Sequence, residues 1–317
     1  MLEEVSRPHA PAPGGLGWDE ELELAAADGV RLRGALWRGG AGGGRGLVVM
    51  LQGRTEFLEK YAIPAAALVR RGFAVASLDW RGQGRSARLI DPPLKGHVRR
   101  FTDYHRDLEA LLSHPSVAGI PGCRLVLAHS MGATIALGAV LRGRVEPAAL
   151  ILSAPMLGIA MTGFQRLFTT LSLPLAGALG KREAWPPFPG VAVPYVFSGF
   201  EGNVLTADSA AFAWLEATLR ADPALQLGMP TFGWFEEALG EIAWIRHNAR
   251  PLGCPGLCLL GTDEAVVDRA AIREGSPRLG IRLTEIEGAR HELLIAAEPM
   301  RSQTWAAIDQ FLDEEGF

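Results

Sequence analysis

The stretch LVLAHSMGAT, residues 125–134, decides the fold that this sequence predicts. Three aliphatic residues lead into a polar pair, His129 and Ser130, and Gly132 follows two residues later. Such a run predicts a buried strand, and the small and aliphatic residues after Ser130 predict a helix. A strand that turns sharply into a helix at a serine is a nucleophile elbow. Ala128 stands where the usual G-x-S-x-G pattern has its first glycine, and we expect its one additional methyl group to fit.

Short apolar runs and helical segments alternate on both sides of this stretch. A hairpin is predicted at 22–38, around the turn signal Asp28-Gly29. Further strands are predicted at 47–51, 73–78, 124–128, 148–152, 256–260 and 281–286. Helices are predicted at 55–71, 101–112, 131–141 and 301–311. Short buried strands that alternate with helices predict an α/β fold, with a mostly parallel sheet covered on both faces.

This alternation stops near Pro155 and resumes near Pro255. The intervening residues include the loop EAWPPFPGVAVP and the aromatic-rich segment PTFGWFEEALGEIAWIR. We therefore predict a helical cap, inserted at 156–246 over one end of the sheet. The core is predicted to comprise 18–155 and 247–317, and residues 1–17 are predicted to form a flexible N-terminal arm.

The bulk composition and the apolar stretches argue against a nucleic-acid partner, an exported protein and a membrane-spanning protein. The chain has 317 residues, of which 48% are hydrophobic and 21% charged, and its net charge is −4. This charge gives no reason to expect a nucleic-acid partner. The N-terminus has no apolar export signal, and the most apolar stretch, 167–179, is shorter than the roughly 20 residues of a membrane span. We expect a cytoplasmic protein, and the sequence leaves open both its oligomeric state and a transient contact between the cap and a membrane surface.

The three cysteines do not suggest a cofactor. Cys254 and Cys258 have a spacing seen in metal sites, but no second Cys/His pair completes such a site. Together with Cys123 they are predicted to be buried thiols in a reducing compartment. No metal and no cofactor is expected.

Chemically useful side chains follow the predicted strands where these strands end. Functional groups collect at the carboxyl ends of strands in an open parallel sheet. A serine, an acid and a histidine occur there in the order Ser130, Asp263, His291. This order is the one expected of α/β-hydrolases and differs from that of other serine hydrolase folds. The predicted roles are nucleophile for Ser130, orienting acid for Asp263 and general base for His291.

Other residues compete for two of these roles. Glu264 and Asp268 are alternatives to Asp263, which we prefer because it comes first after its strand. His247 is the alternative base, although it falls at the end of the predicted cap. His97 and His129 are interpreted as structural.

An oxyanion requires preorganised N–H donors. The Met131 amide, at the start of a helix, is predicted to be one donor. The Arg54 amide, just past the first parallel strand, is predicted to be the other. Gln52 and Gly53 precede Arg54, and Gln52 is expected to brace this loop by hydrogen bonding. Gly132 is expected to let the helix start tightly behind the serine.

Five segments carry a resemblance to a known family: LVLAHSMGA, LDWRGQGRS, LSAPML, GTDEAVVD and GARHELL. They resemble the lysophospholipase and monoacylglycerol-lipase branch of the α/β-hydrolases, including the lysophospholipase L2 type and the proteins named serine aminopeptidases of the S33 type. The similarity runs from about residue 47 to the C-terminus and includes the cap segments NVLTADSAAF and PTFGW. It implies the α/β-hydrolase fold and hydrolysis of carboxylic esters, with Ser130, Asp263 and His291 matching the family triad. Many relatives have His-Gly where this chain has Gln52-Gly53.

The predicted cap is rich in Phe, Trp, Leu and Met, and a hydrophobic lid suits an acyl chain. The hypothesis is therefore a serine hydrolase that cleaves the ester of a single-chain lipid, lysophospholipid or monoacylglycerol, through an acyl-enzyme. One alternative is a small-molecule esterase on the same triad. Another is an aminopeptidase, which needs an acidic anchor for the substrate amine: Glu201, Glu216, Glu236 or Glu237. A catalytically silent binding protein on a hydrolase scaffold is the alternative outside the enzymes.

Overall fold

The computed structural model describes residues 14–39 and 44–317. Within these ranges eight strands form one sheet in the order β1-β2-β4-β3-β5-β6-β7-β8. The strands are β1 (Glu20–Ala25), β2 (Arg31–Trp37), β3 (Gly46–Leu51), β4 (Ala74–Leu78), β5 (Cys123–His129), β6 (Ala149–Ser153), β7 (Gly256–Gly261) and β8 (Arg282–Ile286). β2 pairs antiparallel with β1 and β4, and the remaining neighbours are parallel.

Helices cover both faces of this sheet or connect its strands. They are α1 (Leu58–Arg70), α2 (Asp103–Ser113), α3 (Pro115–Ala118), α4 (Met131–Leu141), α5 (Gly163–Ala178), α6 (Ser209–Ala221), α7 (Phe232–Asn248), α8 (Arg269–Arg278) and α9 (Met300–Glu314). Short 3-10 turns lie at Tyr195–Ser198, Pro223–Leu225 and Leu293–Ile295.

The predicted α/β-hydrolase fold is confirmed. The strands at the centre of the sheet, β3, β4, β6 and β7, are buried along their whole length, as expected for parallel strands covered on both faces. The hairpin is present as well, with Gly29 at a φ of 82° in its turn. The parallel strands β3 to β8 have their carboxyl ends at one edge of the sheet, and the residues predicted to carry chemistry lie at this edge.

The N-terminal part of the predicted arm, 1–13, lies outside the described residues. Its last residues are attached to the core. The Leu16 amide donates to Ala62 O at 3.1 Å, and the Trp37 indole donates to Leu16 O at 2.8 Å. Residue 16 is thus held against β2 and α1.

The segment predicted as a cap lies between β6 and β7. Its helix α6 packs in a small hydrophobic cluster of its own, which consists of Phe57, Val196, Phe212, Leu219 and Leu225. Helix α7 differs, because its apolar side chains belong to the main core, where α7 packs on α4. The boundary between core and cap stays a prediction. Among the described helices, none combines the length and the apolarity that crossing a bilayer requires.

Candidate active site

Ser130 stands at the turn between β5 and α4. Its backbone has φ 51° and ψ −116°, a conformation that L residues rarely adopt and that commonly marks functional sites. A Cβ atom at Gly132 would lie 2.4 Å from Gln52 O and 2.6 Å from Leu51 O. Glycine is therefore needed there, because the start of α4 touches the loop after β3. Ala128 is fully buried in β5, so its methyl group is accommodated as expected.

Three buried side chains form a hydrogen-bonded chain at the carboxyl edge of the sheet. His291 Nε2 lies 3.0 Å from Ser130 Oγ, and His291 Nδ1 lies 2.7 Å from Glu264 Oε2. The second carboxylate oxygen of Glu264 accepts from the amides of Val266 and Val267. These bonds hold the carboxylate, which in turn fixes the ring of His291 towards the serine.

The prediction that Asp263 orients His291 is wrong. Asp263 is exposed, whereas its neighbour Glu264 is buried. β7 ends at Gly261, and the Asp263 amide then donates to Ala289 O at 3.0 Å within the turn that follows. It is the next side chain, longer by one methylene group, that reaches His291. Glu264 was one of the two alternatives that the sequence left open.

The other competing residues lie away from the hydrogen-bonded chain of Ser130, His291 and Glu264. Asp268, the second alternative acid, caps the N-terminus of α8 by accepting from the amides of Ala270 and Ala271. His247, the alternative base, is exposed on α7. His97 is buried, with its Nδ1 2.8 Å from Thr231 Oγ1. None of these three side chains takes part in the hydrogen-bonded chain to Ser130.

The environment of His291 controls its charge. Burial acts to lower its pKa, but the hydrogen bond and negative charge of Glu264 outweigh burial, and the pKa is raised. Burial acts to raise the pKa of Glu264, and its contact with His291 more than offsets this effect, so that pKa is lowered. Glu264 is therefore a carboxylate at neutral pH, as an orienting acid must be.

The loop after β3 lies against the elbow. Arg54 and Met131, the two predicted amide donors, both line the cavity that contains Ser130. The expectation that the Gln52 side chain braces this loop is wrong: within the described chain, its buried amide group has no hydrogen-bond partner. The bracing bond comes from its main chain, because the Trp80 indole donates to Gln52 O at 2.9 Å.

A buried charged cluster, which the sequence analysis missed, connects this loop with the residue next to His291. Glu56 accepts from the Gly53 amide, from the Tyr61 hydroxyl at 2.6 Å and from Lys60. The Lys60 ammonium also donates to Glu292, the residue after His291, at 2.7 Å. Only the i, i+4 spacing of Glu56 and Lys60 could have suggested a part of this cluster from the sequence.

His129 lies beside the same cluster. Its Nδ1 is 3.1 Å from Ser153 O, and its ring centroid is 4.6 Å from that of His291. Burial lowers the pKa of His129, so the ring is neutral. Among the described residues, Glu56, His129 and Glu292 lie close enough to share a metal ion, but the Lys60 ammonium already bonds to both carboxylates.

The cysteines are only partly as predicted. Cys258 is buried, and burial raises the pKa of its thiol to about 12. Cys123 and Cys254 are half-buried. None of the three lines the cavity that contains Ser130.

The cavity above Ser130 has a volume of about 220 Å³. Most of its wall is apolar, and the side chains of Met156, Leu215, Leu219, Leu227 and Val267 contribute to it. A second cavity, of about 450 Å³, lies under α5 and shares Ile159 and Phe235 with the first. The two cavities are therefore neighbours that share part of their apolar walls.

The chain is similar in sequence and in fold to known proteins. The family model described as serine aminopeptidase S33 matches residues 43–298. Lysophospholipase L2 of Escherichia coli strain K12 is 34% identical over 279 residues, which cover 84% of this chain and 80% of that protein. The monoacylglycerol lipase of Mycolicibacterium smegmatis is 26% identical over 281 residues, which cover 86% of this chain and 90% of that protein.

The structure resembles that of a soluble variant of the monoglyceride lipase from Saccharomyces cerevisiae, which was solved with a substrate analogue. The TM-score is 0.73 at 21% identity, and the match covers 96% of this chain and 99% of that one. A Paleococcus ferrophilus monoacylglycerol lipase matches with a TM-score of 0.67 at 18% identity, over 89% of this chain and 98% of that one. At these identities the likeness shows the shared α/β-hydrolase fold.

Proposed function

The chain belongs to the serine aminopeptidase S33 family, and on that premise we propose that it hydrolyses the carboxylic esters of single-chain lipids, lysophospholipids or monoacylglycerols. The observation that carries this proposal is the Ser130–His291–Glu264 chain at the base of an apolar cavity. The lipid-ester hydrolases among its relatives support the substrate class.

The geometry supports a double-displacement mechanism. His291 Nε2 takes the proton of Ser130 as the oxygen attacks the acyl carbonyl, and Glu264 stabilises the imidazolium that forms. The amides of Met131 and Arg54 are proposed to bind the oxyanion, each contributing roughly 3–4 kcal/mol to transition-state stabilisation. His291 then protonates the departing alcohol. A water molecule, activated by the same histidine, releases the fatty acid from Ser130.

The shape of the apolar space favours an acyl chain. The catalytic cavity and the larger cavity under α5 share Ile159 and Phe235 in their apolar walls. We propose that the acyl chain lies in the catalytic cavity and points towards the larger one, whose wall includes Phe164, Phe168 and Phe188.

The positions of the four candidate glutamates argue against an aminopeptidase. The four candidate anchors for a substrate amine, Glu201, Glu216, Glu236 and Glu237, do not line the catalytic cavity. Glu216 pairs with Arg220, and Glu236 and Glu237 both pair with Arg182, whereas Glu201 is exposed. The acids that do line the cavity near Ser130, Glu56 and Glu292, are bonded to Lys60.

An assay on two kinds of substrate tests the proposed function. Wild-type protein is offered monoacylglycerols and lysophosphatidylcholines with acyl chains of several lengths, and separately aminoacyl arylamides. We expect hydrolysis of the lipid esters, with kcat/KM increasing with chain length, and no comparable release of arylamine. Faster cleavage of the arylamides, or no cleavage of any lipid ester, would overturn the proposal.

The charge of His291 sets the pH dependence. The protonated imidazole cannot accept a proton from Ser130, so activity should increase as the pH passes through the pKa of His291. Because that pKa is raised above the ordinary value of 6.5, we expect the acid limb of kcat/KM for an uncharged monoacylglycerol to have its midpoint above pH 6.5. Measurement from pH 5 to pH 9 checks this, and a midpoint below 6.5 would contradict it.

The Glu56 cluster should affect the same profile. Glu56→Gln weakens the acceptor of the Gly53 amide and removes a negative charge that helps to raise the pKa of His291. We expect kcat to fall by about 10- to 100-fold, with the midpoint of the acid limb moving to lower pH. Glu285→Gln, which breaks an exposed pair with Arg273, is the control and should change neither quantity. An unchanged midpoint in the Glu56 variant would contradict the effect of Glu56 on the pKa of His291.

Helix α5 presents an exposed apolar stripe. Phe164, Leu167, Leu171 and Leu175, with Leu179 just after the helix, are each more than half exposed and recur at spacings of three and four residues. They therefore lie along one side of the helix, and Phe164 also lines the larger apolar cavity. We propose that this stripe contacts the surface of the lipid aggregate that supplies the substrate.

Neighbouring substitutions on α5 test this contact. Leu171→Glu should weaken binding to phosphatidylcholine vesicles about tenfold or more, because burying one leucine contributes about 1.5–3 kcal/mol. Thr170→Glu adds the same charge beside the stripe and should change vesicle binding much less. Cosedimentation with vesicles measures both. Equal binding by the two variants would contradict the proposed contact.

A further inference from the structure

Arg54 belongs to the loop between β3 and α1, and it lines the catalytic cavity together with Ser130 and His291. Its guanidinium carbon lies 5.3 Å from the ring centroid of Trp234, another residue of the cavity wall. One nitrogen donates to Gly228 O at 2.6 Å, and the buried Nε has no partner within the described chain.

This guanidinium also lacks a carboxylate partner among residues 14–39 and 44–317. Arg54 is half-buried, and even the two buried arginines of the described chain are paired: Arg33 with Asp79 and Glu59, and Arg81 with Asp107. Burial without such a partner lowers the pKa of Arg54 to about 10, which leaves it charged at neutral pH.

The surrounding chain makes room for this charge. A Cβ atom at Gly96 would lie 2.2 Å from a terminal nitrogen of Arg54, so the space that receives the guanidinium requires glycine at that position. Arg88 provides the contrast: it also has no ion pair with a described residue, but it donates to four carbonyl groups, those of Gly82, Gly84, Ala224 and Gln226. Arg54 has one.

A half-buried cation with one acceptor among the described residues is stabilised when an anion approaches it. Phosphate is well matched to a guanidinium, which donates two parallel N–H bonds to its oxygens. The two carboxylates of the cavity wall, Glu56 and Glu292, are both bonded to Lys60, which reduces their repulsion of an anion.

We propose that Arg54 binds the phosphate of a lysophospholipid head group, and thereby makes the cavity prefer lysophospholipids to uncharged monoacylglycerols. This inference rests on the proposed lipid-ester hydrolysis at Ser130, and it selects between the two substrate classes named there. The phosphate diester of a lysophospholipid lies a few bonds from the ester that Ser130 attacks, and Ser130 and Arg54 line the same cavity.

Two substrates with the same acyl chain test the assignment. We compare kcat/KM for 1-palmitoyl lysophosphatidylcholine with that for 1-palmitoyl glycerol, in wild type, Arg54→Met, Arg54→Lys and the control Arg88→Met. The ratio of the two values should fall by about 10- to 100-fold in Arg54→Met, mainly through the KM for the phospholipid. Arg54→Lys should recover part of the ratio, and Arg88→Met should keep it.

A ratio within about threefold of wild type in Arg54→Met would overturn the assignment, because loss of both activities alike indicates an effect on the oxyanion loop. A measurement on wild type alone serves if the variants fail to fold. A hexadecyl phosphocholine should inhibit hydrolysis of the monoacylglycerol at least tenfold more strongly than a hexadecyl glycerol ether, and equal inhibition would also overturn the assignment. If wild type hydrolyses neither ester, it is the proposed function that fails.

Discussion

Replacing Ser130 by alanine should lower kcat for a lipid ester by about a millionfold while leaving the fold intact. The serine oxygen is the atom that His291 Nε2 faces at 3.0 Å, and no other hydroxyl is hydrogen-bonded to that nitrogen in the described chain. Alanine also fits the elbow, since it removes only the hydroxyl. The release of fatty acid and the melting temperature are measured together.

The control is Ser302→Ala, which removes an exposed hydroxyl of α9 that bonds to Glu298. It should retain full activity. A Ser130→Ala protein that melts like wild type and still releases fatty acid at more than about one per cent of the wild-type rate would contradict the assignment of the nucleophile.

Replacing Glu264 by glutamine should lower kcat by about 10,000-fold, whereas Asp263→Asn should change it by less than about threefold. Glutamine keeps the length of the side chain but removes the charge that stabilises imidazolium. Its amide group also donates where the carboxylate accepts, which favours the tautomer with its proton on Nε2, the nitrogen that must receive the serine proton.

This pair of variants compares adjacent acids in one turn, and the melting temperature of each shows whether it is folded. The pH profile adds a second readout, because loss of the Glu264 charge should move the acid limb of kcat/KM to lower pH. A large loss in Asp263→Asn, with Glu264→Gln active, would restore the acid that the sequence favoured.

The serine and the histidine could be predicted because each follows a recognisable strand. The apolar run before Ser130 and the run before Gly288 both identify a strand, and carboxyl ends of parallel strands meet at one edge. The structure brings Ser130 and His291 to hydrogen-bonding distance there. The fold followed from the same alternation of strands and helices.

The same reasoning could not identify which acid bonds to His291. Between β7 and α8 the chain runs through an irregular turn, where side-chain direction follows no period. Asp263 and Glu264 are adjacent carboxylates, and the choice depends on the bond from the Asp263 amide to Ala289 and on the bonds from Val266 and Val267 to Glu264. These partners become neighbours only after folding.

The charged cluster around Lys60 and the environment of the Arg54 side chain could not be predicted from the sequence for a related reason. Glu56 and Lys60 meet Glu292 across more than 230 positions of sequence, and α1 brings them together. Arg54 was singled out only for its amide. The lack of a carboxylate beside its side chain is a property of the packed loop, Gly96 and Trp234, which the sequence does not show.

The Ser130–His291–Glu264 assignment is tested most directly by the rate at which a long-chain alkyl fluorophosphonate labels the protein, with the modified residue identified by mass spectrometry. We expect one labelled residue, Ser130, with labelling strongly slowed by Glu264→Gln and unaffected by Asp263→Asn. A label on another residue, or fast labelling of Ser130 in the Glu264 variant, would contradict the Ser130–His291–Glu264 assignment.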